Sequence, residues 1–128
     1  MFDKPVVRRV GDIEEEGVVV ENKQRARYRM LFSADRTETH SLTCGVATLD
    51  PENPLPLHRH EHAEIYFGLT GDACVRVEGE NFPLSAGTAI FIPGNLSHAV
   101  HTTTEARLLF LFSADSYSDV RYIYLDSE

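Results

Sequence analysis

"HRHEHAEIYFGLTG", His58 to Gly71, places three histidines and a glutamate within seven positions and then turns apolar. In an extended chain, successive side chains alternate between faces. His58, His60, His62, Glu64 and Tyr66, all an even number of residues apart, therefore share one face. Imidazoles and a carboxylate crowded into a dry interior repel or stay unsatisfied unless a cation sits among them. The stretch therefore predicts a metal site, although alternation alone does not choose the ligands. The preceding "DPENPLP", residues 50–56, holds too many prolines for a strand interior and predicts a loop leading into the histidines.

Outward from this stretch, apolar and β-branched runs of strand length recur: "PVVRRV", "GVVVE", "ARYRMLFS", "SLTCGVATL", "ACVRVEG", "TAIFIP", "HAVHT", "RLLFLFS" and "VRYIYL". Gly71-Asp72, Gly79-Glu80 and Pro93-Gly94-Asn95 punctuate them as turns. In "DACVRVEG", Ala73, Val75 and Val77 alternate with Cys74, Arg76 and Glu78, the period of a sheet with one drier face. Only two short stretches, 12–16 and 114–118, could be helical. The reading is an all-β sandwich or barrel, one domain over residues 1–128, with no internal repeat.

Composition agrees: 42% hydrophobic and 25% charged residues suit a folded domain rather than a disordered chain. A formal charge of -8 would repel a phosphate backbone or an anionic membrane surface, so neither nucleic acid nor membrane is expected as partner. Cys44 and Cys74 stand apart in apolar runs and read as reduced thiols. The charged N-terminal stretch lacks a signal-peptide core and no run reaches membrane-spanning length, which predicts a cytoplasmic protein.

Two motifs resemble those of the cupin superfamily, small double-stranded β-helix barrels. The first, H-x-H-x3-E-x6-G, matches His58, His60, Glu64 and Gly71; the second, G-x5-P-x-G-x2-H, is similar to "GTAIFIPGNLSH", with Gly87, Pro93 and His98 in place. Three positions depart: Glu52 replaces a leading Gly, Asn95 stands for the second Gly of motif two, and Thr102 for an Asn. Asn accepts a left-handed backbone better than most residues, so the turn can survive. The resemblance implies that His58, His60, Glu64 and His98 bind one divalent transition metal ion, Fe, Mn, Ni, Co or Zn, with positions left open for water or substrate. His62 is then left over, as a loop residue or a substrate contact.

A narrower resemblance, in "LHRHEHAEIYFG", "IPGNLSHAV" and "LLFLFSADSYSDVRYIYL", is to the small cupin-type dimethylsulfoniopropionate (DMSP) lyases. It implies catalytic roles for Tyr66, two residues past the glutamate, and Tyr124 on the C-terminal strand, with Tyr122 sharing Tyr124's face. The implied reaction removes a proton alpha to the carboxylate of a small-molecule substrate and expels dimethyl sulfide. A metal-bound carboxylate would favour this, and a nearby cation would lower the Tyr66 pKa from about 10. Tyr122, Tyr124 or neighbouring Phe rings could hold the sulfonium by cation–π contact. Two other readings stay open: an Fe(II) dioxygenase and a non-catalytic metabolite-binding module. The cupin resemblance also implies a homodimer formed by exchanging or pairing terminal strands, since "PVVRRV" and "GVVVE" would otherwise be exposed edges.

Overall fold

The computed structural model describes residues 4–20 and 23–126. Its strands are β1 (Glu16–Val20), β2 (Lys23–Phe32), β3 (Thr43–Leu49), β4 (Leu55–Arg59), β5 (Glu64–Thr70), β6 (Asp72–Val77), β7 (Glu80–Ser85), β8 (Ala89–Ile92), β9 (His98–Thr102), β10 (Ala106–Phe112) and β11 (Ile123–Tyr124). They form a six-stranded sheet, β1-β2-β3-β10-β5-β8, and a five-stranded sheet, β11-β4-β9-β6-β7; the pairings within both are antiparallel. Inward side chains of both sheets make one core around Met30, Leu49, Val75, Leu84, Val100 and Phe112. Val75 and Val100 are cross-strand partners, both fully buried, and each contributes about 1.5–3 kcal/mol by leaving water.

Turn chemistry sets the strand ends. Gly71 turns β5 into β6 with a positive φ of 77°, and a Cβ there would meet the Glu105 carbonyl at 2.5 Å, so no other residue fits. Asn95 takes φ 69°, the left-handed conformation its motif position requires.

Several expectations need adjusting. "PVVRRV" is not a strand: residues 5–9 run irregularly into a 3-10 turn at Val10–Asp12, and Arg8 donates to the Leu31 carbonyl instead of joining a ladder. Neither helical expectation holds as placed: of 12–16 only Asp12 belongs to that turn and Glu16 opens β1, and of 114–118 only the last two residues join a 3-10 turn, Tyr117–Asp119. In "GVVVE", Glu21 lies outside the described residues. Strand β4 takes in Leu55 and Pro56, which the prolines argued against; the irregular β4–β9 register between Leu55 and His58 spares Pro56 the donor it lacks. The even spacing from His58 to Tyr66 does not amount to one extended face, since the chain crosses from one sheet to the other between Arg59 and Glu64.

Candidate metal centre

That crossing builds the site. His58 on β4 and His98 on β9 are register partners in the small sheet, His60 lies just past the end of β4, and Glu64 opens β5 in the large sheet. All four side chains are buried, and one ligand atom from each lies within 4.8 Å of the others. The crossing loop is held by the turn after β8: the Asn95 amide donates to the His60 carbonyl (2.7 Å), and Gly94 lies so close that a Cβ would stand 2.0 Å from the Glu61 carbonyl oxygen.

Each ring is oriented by a backbone carbonyl two residues away. His58 Nδ1 donates to Pro56 O at 2.7 Å, His60 Nδ1 to His62 O at 2.8 Å and His98 Nδ1 to Leu96 O at 2.9 Å. A carbonyl only accepts, so each Nδ1 carries a proton, and in a neutral ring each Nε2 turns a bare lone pair inward. Two of these, on His60 and His98, lie 3.2 Å from Glu64 Oε1, itself an acceptor; the third, on His58, is buried without a partner. Burial and the neighbouring His98 push the His58 pKa down to about 3, so this ring is neutral at ordinary pH. Burial raises the Glu64 carboxyl, whereas positive charge or protons on the Nε2 side of His60 and His98 would lower it, and a cation held between these groups would do the same.

Three lone pairs and a carboxylate facing one point fit a cation. Donors about 2.1 Å from a shared transition metal ion stand about 3.0–3.4 Å apart, and the two spacings to Glu64 are both 3.2 Å. The set can hold a divalent metal through nitrogen and oxygen donors.

Beside the ligands lies a cavity of about 30 Å³ bordered by Glu64, Tyr66, Tyr28, Phe110, Tyr117 and Tyr122, with small aliphatic residues completing its wall. Glu64 is the one carboxylate among the described lining residues, and no described Lys or Arg joins it. Tyr66 is 1% exposed, its ring 6.1 Å from that of His98, and its hydroxyl meets no hydrogen-bond partner. Burial, the Glu64 charge and a contact of the hydroxyl with the Glu64 carboxylate that falls short of hydrogen-bond geometry raise its pKa well above 10. Tyr122 stacks on His58, centroids 4.6 Å apart at 14°, and burial raises its pKa as well.

Tyr124 lies outside the cavity, 39% exposed on β11, with its ring 5.8 Å from Tyr122 and 6.0 Å from His58. The His62 side chain points into a separate recess with Glu61, Asn95, Asp119, Arg121 and Ile123; its backbone carbonyl, however, orients His60. Arg27 stays at the rim, paired with Glu15 and Asp50. Sequence reading missed Tyr117, which it placed in a short helix; its ring stands 5.4 Å from Tyr28 and 6.0 Å from Tyr122. Only the recurrence of tyrosine near the C-terminus pointed to it. A larger open crevice of about 770 Å³ along the N-terminal segment contains none of these residues.

A paired-sheet barrel with three histidines and a glutamate converging inside, where they could hold a metal ion, is the architecture of a cupin. Residues 45–113, more than half of the chain, match the cupin domain family, and the chain belongs to it. It is 29% identical over 102 residues to the dimethylsulfoniopropionate lyase DddW of Ruegeria pomeroyi, a match covering 79% of this chain and 67% of that protein. An oxalate-binding protein of Thermotoga maritima is 34% identical over 64 residues, 49% of this chain and 53% of its own length. Among solved structures, a chain from the work on the DMSP lyases RdDddP and RnDddQII superposes with a TM-score of 0.73 at 21% identity, over 89% of this chain and 63% of that one. At that identity it shows the fold.

Proposed function

We propose that the chain is a metal-dependent carbon–sulfur lyase that cleaves dimethylsulfoniopropionate to dimethyl sulfide and acrylate. The observation that carries this is the Tyr66 hydroxyl, buried, without a partner and two residues along β5 from the ligand Glu64. An unpaired buried hydroxyl costs stability, and such costs concentrate where chemistry uses the group.

A divalent ion on His58, His60, Glu64 and His98 would draw charge from a substrate carboxylate and counter the negative field that holds Tyr66 as a phenol. Tyr66, as phenolate, takes the proton from the carbon next to the carboxylate; that electron pair forms the new double bond, the carbon–sulfur bond breaks, and dimethyl sulfide leaves with its electrons. The rings of Tyr28, Phe110, Tyr117 and Tyr122, which border the cavity, would offer a sulfonium cation–π contact worth about 0.5–2 kcal/mol. A lining of aromatic rings and one carboxylate, with no Lys or Arg among its described residues, suits a zwitterion of this kind better than a dianion such as oxalate. Tyr124 and His62, outside the lining, take no part in this step. Supporting the reading is the similarity to the lyase DddW.

Room for about one water is all that 30 Å³ provides. A larger substrate therefore needs this lining to open, and we take the segment 117–124, which brings Tyr117 and Tyr122 to it, as the part that moves. The same donors suit an Fe(II) dioxygenase, and one experiment separates the two: proton NMR of metal-loaded protein with the sulfonium substrate, beside an oxygen electrode. The lyase gives equal dimethyl sulfide and acrylate with no oxygen uptake. Oxygen consumption coupled to turnover, or no acrylate with any of the five metals, overturns it.

A further inference from the structure

The loop that carries His60 between the sheets also walls an open recess of about 340 Å³. Glu61 and His62 line it from that loop, Asn95 from the turn after β8, and Asp119, Arg121 and Ile123 from the C-terminal segment. Its charges are unspent. Elsewhere arginines lying near carboxylates pair with them, Arg27 with Glu15 and Asp50, and Arg36 with Glu16. In the recess Arg121 shares the lining with two carboxylates, Glu61 and Asp119, yet no hydrogen bond or ion pair joins any of these three side chains to another described residue. In the same wall, His62 Nδ1 is buried and meets no partner, an unsatisfied group of the kind that functional sites retain.

One guanidinium and two carboxylates held apart in one recess select a class of guest. A simple carboxylate meets two like charges there, and a simple cation meets Arg121. A small molecule carrying both signs gives each wall its counterpart. Size agrees: the cavity beside the metal ligands, about 30 Å³, has room for about one water, whereas about 340 Å³ falls in the range of small-molecule sites. Position agrees too. Half of the lining belongs to the segment 117–124 and half to the loops it borders, so the seam that parts when this segment moves runs through the recess.

We infer that the recess is the encounter site for the zwitterionic substrate, which docks with its carboxylate against Arg121 and its cationic end against Glu61 and Asp119 before the segment opens. The inference rests on the lyase reading for the identity of the zwitterion. Ion pairs this exposed are individually weak, so the dissociation constant is on the order of millimolar, which suits capture rather than retention.

Amide NMR of the full, zinc-loaded chain carrying Tyr66→Phe, which binds substrate with turnover suppressed, tests it. Titration with dimethylsulfoniopropionate should shift the signals of Glu61, His62, Asn95, Asp119 and Arg121. Arg121→Gln in that background, at an exposed position, should keep the metal content and the near-ultraviolet circular dichroism while weakening these shifts about threefold or more, and Arg121→Lys should restore part of the loss. Propionate and trimethylsulfonium, each with one end of the zwitterion, should bind more weakly than the whole. With Tyr66 in place, Arg121→Gln should lower kcat/KM and leave kcat nearly unchanged. Shifts confined to the metal cavity, propionate binding as tightly as the zwitterion, or an unchanged dissociation constant in Arg121→Gln overturns the assignment and leaves the lyase reading standing. The expected shifts without any acrylate from the Tyr66 protein would fail the lyase reading instead and uphold the recess as a zwitterion site.

Discussion

Replacing Tyr66 by Phe should make the protein more stable and less active. The ring stays packed at 1% exposure and only the oxygen is lost, an oxygen buried with no hydrogen-bond partner. Burying a hydroxyl unpaired costs about 1–3 kcal/mol, so its removal should raise the stability of the metal-free protein by about 1–2 kcal/mol. At about 4 °C per kcal/mol for a domain of this size, the melting midpoint rises by about 4–8 °C. Because the phenol is held protonated by burial and by Glu64, no charge is lost with it. Calorimetry of the metal-free forms measures the gain, and initial rates of acrylate formation measure the cost. With Tyr66 as general base, kcat falls by about 10² to 10⁴ while KM changes little. Destabilisation by more than about 1 kcal/mol would show that the hydroxyl has a partner in solution, and retention of more than about a tenth of the activity would assign the base elsewhere.

Three further outcomes follow from the geometry. Gly94→Ala should push its Cβ against the Glu61 carbonyl, displace the loop that places His60 and Glu64, and cost about 1–3 kcal/mol together with metal affinity; unchanged metal content by elemental analysis would refute the loop's role. The metal-free protein should lose stability in acid: between pH 6.5 and about 3 the unfolded chain protonates His58 while the fold does not, so that stability, complete above 6.5, falls by up to about 1.4 kcal/mol per pH unit. Urea titrations at several pH values should show this slope flattened in His58→Gln, and an unchanged slope would contradict it. Finally, Ile123→Cys with Arg59→Cys, register partners across β11 and β4, should on oxidation lock the segment over the barrel mouth, abolishing turnover but not metal binding, with activity restored by reductant; wild-type rates in the oxidised form would mean that substrate enters by another route.

Much of the site was legible because motif spacing encodes sheet geometry. His58 and His98, forty residues apart in the chain, are register partners, and nothing in local periodicity shows this; the resemblance to cupin motifs supplied it. Alternation in "DACVRVEG" likewise read the half-buried strand β6 correctly in kind, with Ala73 and Val75 inside. Local pattern failed where tertiary contacts decide. The even spacing through His62 suggested one shared face, but the chain changes sheets there and His62 turns away, leaving its carbonyl as the group that matters. "PVVRRV" has strand composition but no neighbouring strand with which to pair. Tyr117 was hidden because its partners, Tyr28 and Tyr122, come from opposite ends of the sequence.

Metal content per chain, in the wild type and in two variants, tests the four-residue centre most directly. The wild type, purified and dialysed, should retain close to one divalent transition metal ion per chain. Glu64→Ala, without the anionic donor, should fall well below it, and His62→Ala should remain near the wild-type value because its side chain lies outside the ligand cluster and alanine keeps the carbonyl that orients His60. A wild type that binds no metal, or equal losses in the two variants, would contradict the assignment of His58, His60, Glu64 and His98.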